Sequence, residues 1–235
     1  MSRNVAIIVA GGDGTRLGRE GGKQLAVVAG MPVLGHTIAA FEACAAVDAI
    51  VVVAHPSRVG EYTAVVRQSG ARKVESIVPG GETRQDSVAN GLVVVGQSAD
   101  IIIVHDGARP LVTPALIEET IRGLVEDASA SGAIVGHPSY DTVKSVVEEG
   151  YVETTEDRER LWLVQTPQVF RAVVLRDAYA RAAAEGFRGT DDASIVERTG
   201  GRIRLILGPR DNIKVTVPED LVVVERLLAE RAVGL

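Results

Sequence analysis

Residues 5–24 read VAIIVAGGDGTRLGREGGKQ and are the most informative part of the chain. The run Val5–Val9 is short, apolar and β-branched and ends at a pair of glycines, a pattern typical of a buried parallel strand. The glycines allow the backbone to turn its N–H groups toward an anion, and Arg16 and Lys23 add fixed positive charge beside them. The stretch therefore predicts a phosphate-binding loop at the carboxyl end of a first strand.

Two common nucleotide-binding motifs do not fit this loop. A Walker loop needs Ser or Thr after Gly-Lys, whereas Gln24 follows Gly22-Lys23. A dinucleotide fingerprint needs a third glycine where Leu17 stands, and the next predicted strand ends at His55 without an acid to hold a ribose. The alternative to an anion site is a glycine-rich turn with a solvated arginine and lysine.

The composition of the 235-residue chain limits its class. The chain is 46% hydrophobic and its net charge is −6, so a global basic surface for nucleic acid is absent. The single cysteine, Cys44, excludes an intrachain disulfide framework, and we expect it in the core of a protein from a reducing compartment. Apolar runs are too short to span a bilayer, and no secretory leader precedes Val5. We expect a cytoplasmic, membrane-independent protein with one domain over residues 1–235.

Strand-like and helix-like runs alternate along the chain. Strands are predicted at Val5–Val9, Ile50–Val53, Lys73–Val78, Ile101–Val104, Ala133–Val135 and Ile203–Leu207. Helices are predicted at Val33–Ala45, Val59–Ser69, Arg84–Val95, Pro114–Glu126, Val173–Glu185 and Pro218–Arg231. This alternation predicts an α/β fold with a mostly parallel central sheet that helices cover on both faces.

The segment from Tyr140 to Glu156 breaks the alternation. It is polar and β-rich, and it predicts a hairpin of Thr142–Val147 and Tyr151–Thr155. An isolated hairpin is only marginally stable in water. We therefore expect it to pack on another surface, and both its own domain and a second copy of the chain are open at this point.

Polar residues follow the carboxyl ends of the predicted strands, which is the edge where α/β sheets bind ligands. A second glycine-rich segment, Gly80–Ser87, follows the third strand. Asp106 follows the fourth strand and suits Mg²⁺, which takes one or two carboxylates plus phosphate oxygens; the alternative is an aspartate that caps a turn. Arg158 and Lys214 together suit a phosphate dianion, or are two solvated cations.

Several other residues in these segments have structural alternatives. His105, beside a strand end, is interpreted as a structural hydrogen-bonding residue. Ser87 either binds a ligand or caps a helix. The pair Asp191-Asp192 is interpreted as the capped start of a helix. No nucleophile–base pair and no histidine or cysteine spacing for a zinc site is found in the sequence.

Nine ordered motifs that run nearly end to end identify a family. They are Gly11–Gln24, Gly80–Val88, His105–Pro110, Asp141–Lys144, Asp157-Arg158, Leu161-Trp162, Gln165–Gln168, Thr190–Ser194 and Asp211–Thr216. On these motifs the chain resembles the 2-C-methyl-D-erythritol 4-phosphate cytidylyltransferases of the non-mevalonate isoprenoid pathway. The resemblance implies a Rossmann-like nucleotidyltransferase fold with a protruding β-hairpin arm at about 138–160, through which two chains form a homodimer.

The resemblance also implies an activity and a set of site residues. CMP would pass from CTP to 2-C-methyl-D-erythritol 4-phosphate with Mg²⁺ bound at Asp106, and pyrophosphate would leave. The implied catalytic residues are Arg16, Lys23, Arg158 and Lys214. The residues implied around CTP are Ala10, Gly11, Gly12, Gly14, Thr15, Gly81, Glu82, Ser87, Asp106 and Gly107. Those implied around the acceptor are Asp106, Arg109, Asp141, Thr142, Arg158, Thr166, Thr190 and Lys214, with Asp141 and Thr142 supplied by the partner's arm.

The loop departs from the family pattern at two positions. It begins Val9-Ala10-Gly11-Gly12 where the family usually has Pro-Ala-Ala-Gly, and Gly22 precedes the lysine where the family usually has proline. Such a start is more typical of other sugar nucleotidyltransferases, so ribitol 5-phosphate is the alternative acceptor. Two other classes of protein are the alternatives. A glycosyltransferase would need an Asp-x-Asp motif, and none is found at a strand end in the sequence. A non-catalytic nucleotide-binding regulator would not need Arg158 and Lys214.

Overall fold

A central sheet organises the part of the chain that this computed structural model describes, residues 2–12 and 22–232. The strands are β1 (Asn4–Val9), β2 (Val27–Val28), β3 (Met31–Pro32), β4 (Ala49–Ala54), β5 (Val74–Pro79), β6 (Ile101–Asp106), β7 (Gly132–Pro138), β8 (Lys144–Val146), β9 (Val152–Thr155), β10 (Trp162–Arg171) and β11 (Ile203–Leu207). Seven of them form the sheet in the order β11-β7-β10-β6-β1-β4-β5.

The register of the sheet brings several strand ends to one edge. β1 is parallel to β4 and β6, β5 is parallel to β4, and β11 is parallel to β7. Val9, at the end of β1, pairs with Val53 on one side and Asp106 on the other. The segments that follow β1, β5 and β6 therefore leave the sheet from the same edge.

Helices cover both faces of the sheet, as the sequence predicts. They are α1 (Gly22–Leu25), α2 (Val33–Ala43), α3 (Val59–Ser69), α4 (Arg84–Val95), α5 (Pro114–Val125), α6 (Ala172–Glu185), α7 (Asp192–Arg198) and α8 (Pro218–Ala232). Alternate residues of β1 enter different cores: Ala6 and Ile8 pack with α2, α3 and α5, whereas Val5 and Ile7 pack with α4, α6 and α7. Burial on both faces explains why β1 is apolar throughout.

The predicted α/β class and mostly parallel sheet are confirmed, and the six predicted strands are present. Two details were wrong. β10 was not predicted, and it is antiparallel to both β6 and β7. Asp106 is the last residue of β6 and does not lie two residues beyond the strand. The capped helix start predicted at Asp191-Asp192 is confirmed, because Asp191 caps α7 and its side chain accepts from the Ser194 N–H.

The sequence hides β10 because its middle does not look like a strand. Polar residues and a proline occupy positions 165–168, and the pairing with β7 shifts register between Val164 and Gln168. Proline lacks a backbone donor and polar residues interrupt the apolar run. The apolar residues on either side of this interruption are too few to mark the strand.

The predicted hairpin is present as a separate two-stranded sheet of β8 and β9. It carries large apolar side chains that are exposed in the single chain, among them Val146 (60%), Tyr151 (69%) and Val152 (57%). None of the helices in the described ranges has the length and apolarity that crossing a membrane requires.

Candidate active site

Two glycine segments approach each other at the carboxyl edge of the sheet. The Gly80 N–H donates to the carbonyl of Ala54, 2.7 Å away, which ties the segment after β5 to the end of β4. A Cβ atom on Gly11 would lie 3.3 Å from the Cα of Gly80, and one on Gly80 would lie 2.9 Å from Ser87 Oγ. A side chain at either position would crowd the other segment, so backbone lines the space between the two segments.

The start of α4 fixes the second glycine segment. Thr83 and Asp86 form a capping box, in which the Asp86 N–H donates to Thr83 Oγ1 (3.1 Å) and the Thr83 N–H donates to Asp86 Oδ2 (3.1 Å). Ser87, in the same turn, accepts from the Gly81 N–H (3.1 Å) and donates to the Thr83 carbonyl (2.9 Å). Ser87 thus joins the helix end to the loop that precedes it.

Asp106 lies among three cationic side chains at the end of β6. Its carboxylate oxygens are 2.7 Å from Lys214 Nζ, 3.1 Å from Arg84 Nε and 3.7 Å from Arg109 Nε. Burial alone would raise the pKa of Asp106, but these cations outweigh burial and hold the pKa well below its usual range. Asp106 is therefore a carboxylate that stays ionised while surrounded by positive charge.

His105 is a structural residue, as the sequence predicts. Its ring is fully buried, with Nδ1 3.0 Å from Thr166 Oγ1 and Nε2 3.4 Å from the Arg109 carbonyl. Burial lowers the pKa of His105 to about 3, so the ring is neutral near pH 7. Thr166 Oγ1 also accepts from the Asp106 N–H at 3.1 Å. Together these contacts connect β10 to the end of β6.

Two cavities meet at this cluster, with volumes of about 330 and 400 Å³. The first cavity is lined by the two glycine segments together with Lys23, whose exposure is 9%. The second is lined by the start of β10, Arg109 and the segment before α7. Arg84, Asp106 and Lys214 line both cavities and form the wall between them.

The cavities divide the sequence-predicted residues into two groups. The first contains Gly11, Gly12, Lys23, Gly81, Glu82, Ser87, Asp106 and Lys214. The second contains Asp106, Arg109, Thr166, Thr190 and Lys214. The structure thus brings together most of the residues that the motifs single out, although they come from six separate segments of the chain.

Other predicted residues lie elsewhere. Ala10 and Gly107 are buried behind the first cavity. The Ala10 carbonyl accepts a hydrogen bond from Tyr62 Oη at 2.8 Å, and the Gly107 N–H donates to the Val9 carbonyl at 2.8 Å. Gly14, Thr15 and Arg16 lie outside the described residues.

The arm residues do not join the cavities within one chain. Asp141, Thr142 and Arg158 are exposed and line neither of the two cavities. Arg158 Nη1 donates to the carbonyl of Tyr140 at 3.1 Å, whereas Lys214 is bound to Asp106. The expected pairing of Arg158 with Lys214 is therefore not formed within a single chain, because the arm carries Arg158 away from the sheet edge.

Sequence reasoning missed Arg84, which connects Asp106 to a second buried carboxylate. Arg84 Nη2 is 2.8 Å from Asp192 Oδ2, and Tyr179 donates a hydrogen bond to the other Asp192 oxygen. Burial lowers the pKa of Arg84, but the two carboxylates outweigh burial and raise it above its usual range. Its position at the first residue of a predicted helix, beside Gly80-Gly81, was the available signal.

A family model described as IspD, 2-C-methyl-D-erythritol 4-phosphate cytidylyltransferase, matches residues 4–230. The chain belongs to this family. The motif-based identification of the 2-C-methyl-D-erythritol 4-phosphate cytidylyltransferases is thereby confirmed, and the match does not favour the ribitol 5-phosphate alternative.

Relatives and solved structures agree over nearly the whole chain. The 2-C-methyl-D-erythritol 4-phosphate cytidylyltransferase of Pelotomaculum thermopropionicum is 43% identical over 233 residues, which cover 98% of this chain and 96% of that protein. The crystal structure of 4-diphosphocytidyl-2C-methyl-D-erythritol synthase from Anaerococcus prevotii aligns with a TM-score of 0.84 at 26% identity, covering 97% of this chain and 96% of that one. The Thermus thermophilus cytidylyltransferase structure aligns with a TM-score of 0.74 at 31% identity, covering 97% of this chain and all (100%) of that one.

Proposed function

We propose that this member of the cytidylyltransferase family transfers CMP from CTP to 2-C-methyl-D-erythritol 4-phosphate at the junction of the two cavities. The observation that carries the proposal is the shared wall of Arg84, Asp106 and Lys214. A transferase of this kind must hold two anions side by side although they repel each other. Two cations in the wall offset that repulsion where the anions meet.

The first cavity suits CTP. Its glycine backbone leaves room for a triphosphate and offers N–H groups to it, and Lys23 adds a cation that is largely shielded from solvent. Gly81, Glu82 and Ser87 lie on the same side as α4, and we assign them to the cytosine and ribose end. Arg16, in the loop that follows Gly12, is assigned to the phosphates with Lys23 on the strength of the motif.

The second cavity suits the phosphorylated acceptor. Arg109 and Lys214 supply a planar guanidinium and a point charge for a phosphate dianion, and Thr166 and Thr190 supply hydroxyl groups. The arm of a second chain would complete this cavity with Asp141, Thr142 and Arg158. An exposed apolar hairpin supports this dimer, because such a surface is costly to leave in water.

The chemistry requires little from the protein beyond placement and charge. An oxygen of the acceptor phosphate attacks the α-phosphorus of CTP, a new P–O bond forms, and the bond to the β-phosphate oxygen breaks with release of pyrophosphate. The acceptor oxygen is already ionised near neutral pH, so no strong general base is needed. Lys23 and Arg16 stabilise negative charge that develops on the α-phosphate, and Lys214 and Arg109 hold the acceptor.

The site fits a magnesium ion whose ligands come mostly from the substrate. No group of three or more histidine, cysteine, aspartate or glutamate side chains is placed to hold a metal within residues 2–12 and 22–232. Asp106 supplies one ionised carboxylate at the wall, and Mg²⁺ commonly takes one or two carboxylates together with phosphate oxygens. When bound, the ion would neutralise part of the triphosphate charge.

Pyrophosphate release tests the proposed function. With CTP and Mg²⁺, the protein is expected to release pyrophosphate on addition of 2-C-methyl-D-erythritol 4-phosphate and to form 4-diphosphocytidyl-2-C-methyl-D-erythritol, identified by mass. Ribitol 5-phosphate is the matched acceptor control and is expected to give at most a few per cent of that rate, on the order of the discrimination that misplaced polar groups cause. Equal or faster reaction with ribitol 5-phosphate would contradict the assigned acceptor.

A further inference from the structure

Lys214 lies on an irregular segment between β11 and α8, although both cavities depend on it. A side chain on a loop keeps a functional geometry only if its neighbours fix the backbone. On the carboxyl side, Val215 does so: it is fully buried in an apolar cluster, and its N–H donates to the Ala108 carbonyl at 2.8 Å. The amino side depends on Asn212.

The side chain of Asn212 attaches this segment to β10. The residue is fully buried, and its Nδ2 donates to two acceptors, Gln165 Oε1 at 3.0 Å and the Thr166 carbonyl at 2.9 Å. Gln165 Nε2 donates in turn to the Pro209 carbonyl at 3.2 Å. The amide group is therefore matched to two acceptors, which a carboxylate at the same position would repel.

The backbone of Asn212 also holds the other cation of the second cavity. Its carbonyl accepts from Arg109 Nη1 at 2.7 Å. A charge-assisted bond of this length orients the guanidinium. A single residue outside the cavity lining thus fixes Arg109 directly and Lys214 through the backbone, two residues further along the chain.

We propose that Asn212 is a positioning residue that sets Arg109 and Lys214 at the spacing that the acceptor phosphate needs. It does not contact the substrate; it acts through the backbone that carries Lys214 and through the guanidinium of Arg109. The inference rests on the proposed function, because it takes the second cavity as the acceptor site.

The test is Asn212→Asp, which keeps the size of the side chain and replaces its donor with an acceptor. The KM for 2-C-methyl-D-erythritol 4-phosphate is expected to rise about tenfold or more, the effect of leaving buried polar groups unpaired. The KM for CTP is expected to rise less, because Arg109 lines only the second cavity, although Lys214 lines both. Equal changes in both KM values would overturn the proposal, because they would indicate general disorder of the site.

Asn4→Asp is the matched control. Asn4 Nδ2 also donates to a carbonyl, that of Ala46 at 2.8 Å, but at the amino end of β1, away from both cavities. It is expected to lower the melting temperature without a selective effect on either KM. A selective rise in acceptor KM in this control would overturn the proposal as well.

A second variant covers the case in which Asn212→Asp does not fold. Asn212→Ala removes the side-chain donors without adding charge, and it should show the same selective rise in the KM for the acceptor. If neither variant gives a native circular dichroism spectrum, Asn212 is required for the fold and the proposal is wrong. If wild-type protein makes no product from CTP and this acceptor, the proposed function fails first, which separates the two failures.

Discussion

Asp106 is the carboxylate that partly neutralises the cations of the site. Its carboxylate is 10% exposed, and the three nearest cations belong to α4, to the turn after β6 and to the segment before α8. Without this carboxylate, three positive charges would face one another across a small space. Asp106 therefore offsets the repulsion among these three cations.

The lowered pKa of Asp106 makes its contribution to stability depend on pH. The carboxylate is more acidic folded than unfolded, so its contribution is complete above the unfolded pKa of about 4 and declines as pH falls through the folded value. We expect Asp106→Asn to lower the free energy of unfolding at pH 7 by about 1–3 kcal/mol.

The difference in the free energy of unfolding between wild type and Asp106→Asn should become smaller as pH falls below 4. Urea unfolding at pH 7, 5 and 3 measures this difference. Asp177→Asn is the control, because it removes only the exposed ion pair with Arg181, and its effect on the free energy of unfolding is not expected to change in this way with pH. A difference that is the same at pH 7 and pH 3 would contradict the role of the ionised carboxylate.

Two lysines of the site should differ in the kinetic constant that they affect. Lys23 lines only the first of the two cavities, which we assign to CTP and its α-phosphate, so Lys23→Ala is expected to lower kcat about 100-fold or more. Lys214 also lines the second cavity, which we assign to the acceptor, so Lys214→Ala is expected mainly to raise the acceptor KM. Steady-state kinetics with each substrate varied in turn would reveal the reverse pattern if this assignment were wrong.

At the scale of elements, the first turn of α4 both stabilises the helix and lines the cavity that we assign to CTP. Thr83 caps α4 and lines the first cavity. Its Oγ1 accepts a hydrogen bond from the Asp86 N–H, and its carbonyl accepts one from Ser87 Oγ. Thr83→Ala should cost about 1 kcal/mol of stability, as lost caps do. It should also raise the KM for CTP severalfold, because the loss of the cap loosens the first turn of α4, which carries Ser87.

Thr113 provides the comparison, because it caps α5 with a bond from the Leu116 N–H at 3.2 Å and lines neither cavity. Thr113→Ala should lose similar stability in thermal unfolding while its KM for CTP stays at the wild-type value. If both variants change this KM alike, the cap of α4 has no special connection with the nucleotide site.

The elements also show what a sequence can predict. Val5–Val9 and Ile203–Leu207 were predicted because apolar runs that end at glycine, or alternate with helices, follow from local periodicity. β10 was not predicted, because Pro167 interrupts it and the polar residues beside that proline form tertiary hydrogen bonds with Asp106, Asp191 and Asn212. The place of a candidate site residue in the fold could be predicted from the sequence where the residue comes shortly after a predicted strand, as Gly81 does after β5.

The contacts between distant segments were not predictable in the same way. Arg84 and Asp192 form an ion pair between the first residues of α4 and α7, which are far apart in the sequence, and neither residue alone carries a signal for the other. Arg158 was correctly located after the hairpin, but one chain cannot contain the partner surface that would give it a role.

At the scale of the whole molecule, the arm and the exposed edge of the sheet point to a second chain. The exposed apolar side chains of the arm are accompanied by Leu163 at the start of β10 and by Leu205 and Leu207 on the edge strand β11. An uncovered apolar edge strand invites association. If each arm serves the other chain's second cavity, each active site contains residues of two chains.

Subunit mixing tests this arrangement. Lys23→Ala inactivates the site of its own chain, and Arg158→Ala would inactivate the site of the partner. In a mixed dimer, the chain with intact Lys23 receives the arm with intact Arg158, so one of two sites is complete. Equal mixing with free exchange makes half the dimers mixed, so activity should recover to about a quarter of wild type.

Each variant alone, treated identically, is the control and should stay inactive. If Arg158 instead served its own chain, the mixture would contain no complete site in the Lys23→Ala chains and none in the Arg158→Ala chains, and activity would not rise above the controls. Recovery therefore requires both a dimer and an arm that acts on the partner, since neither property alone restores a complete site.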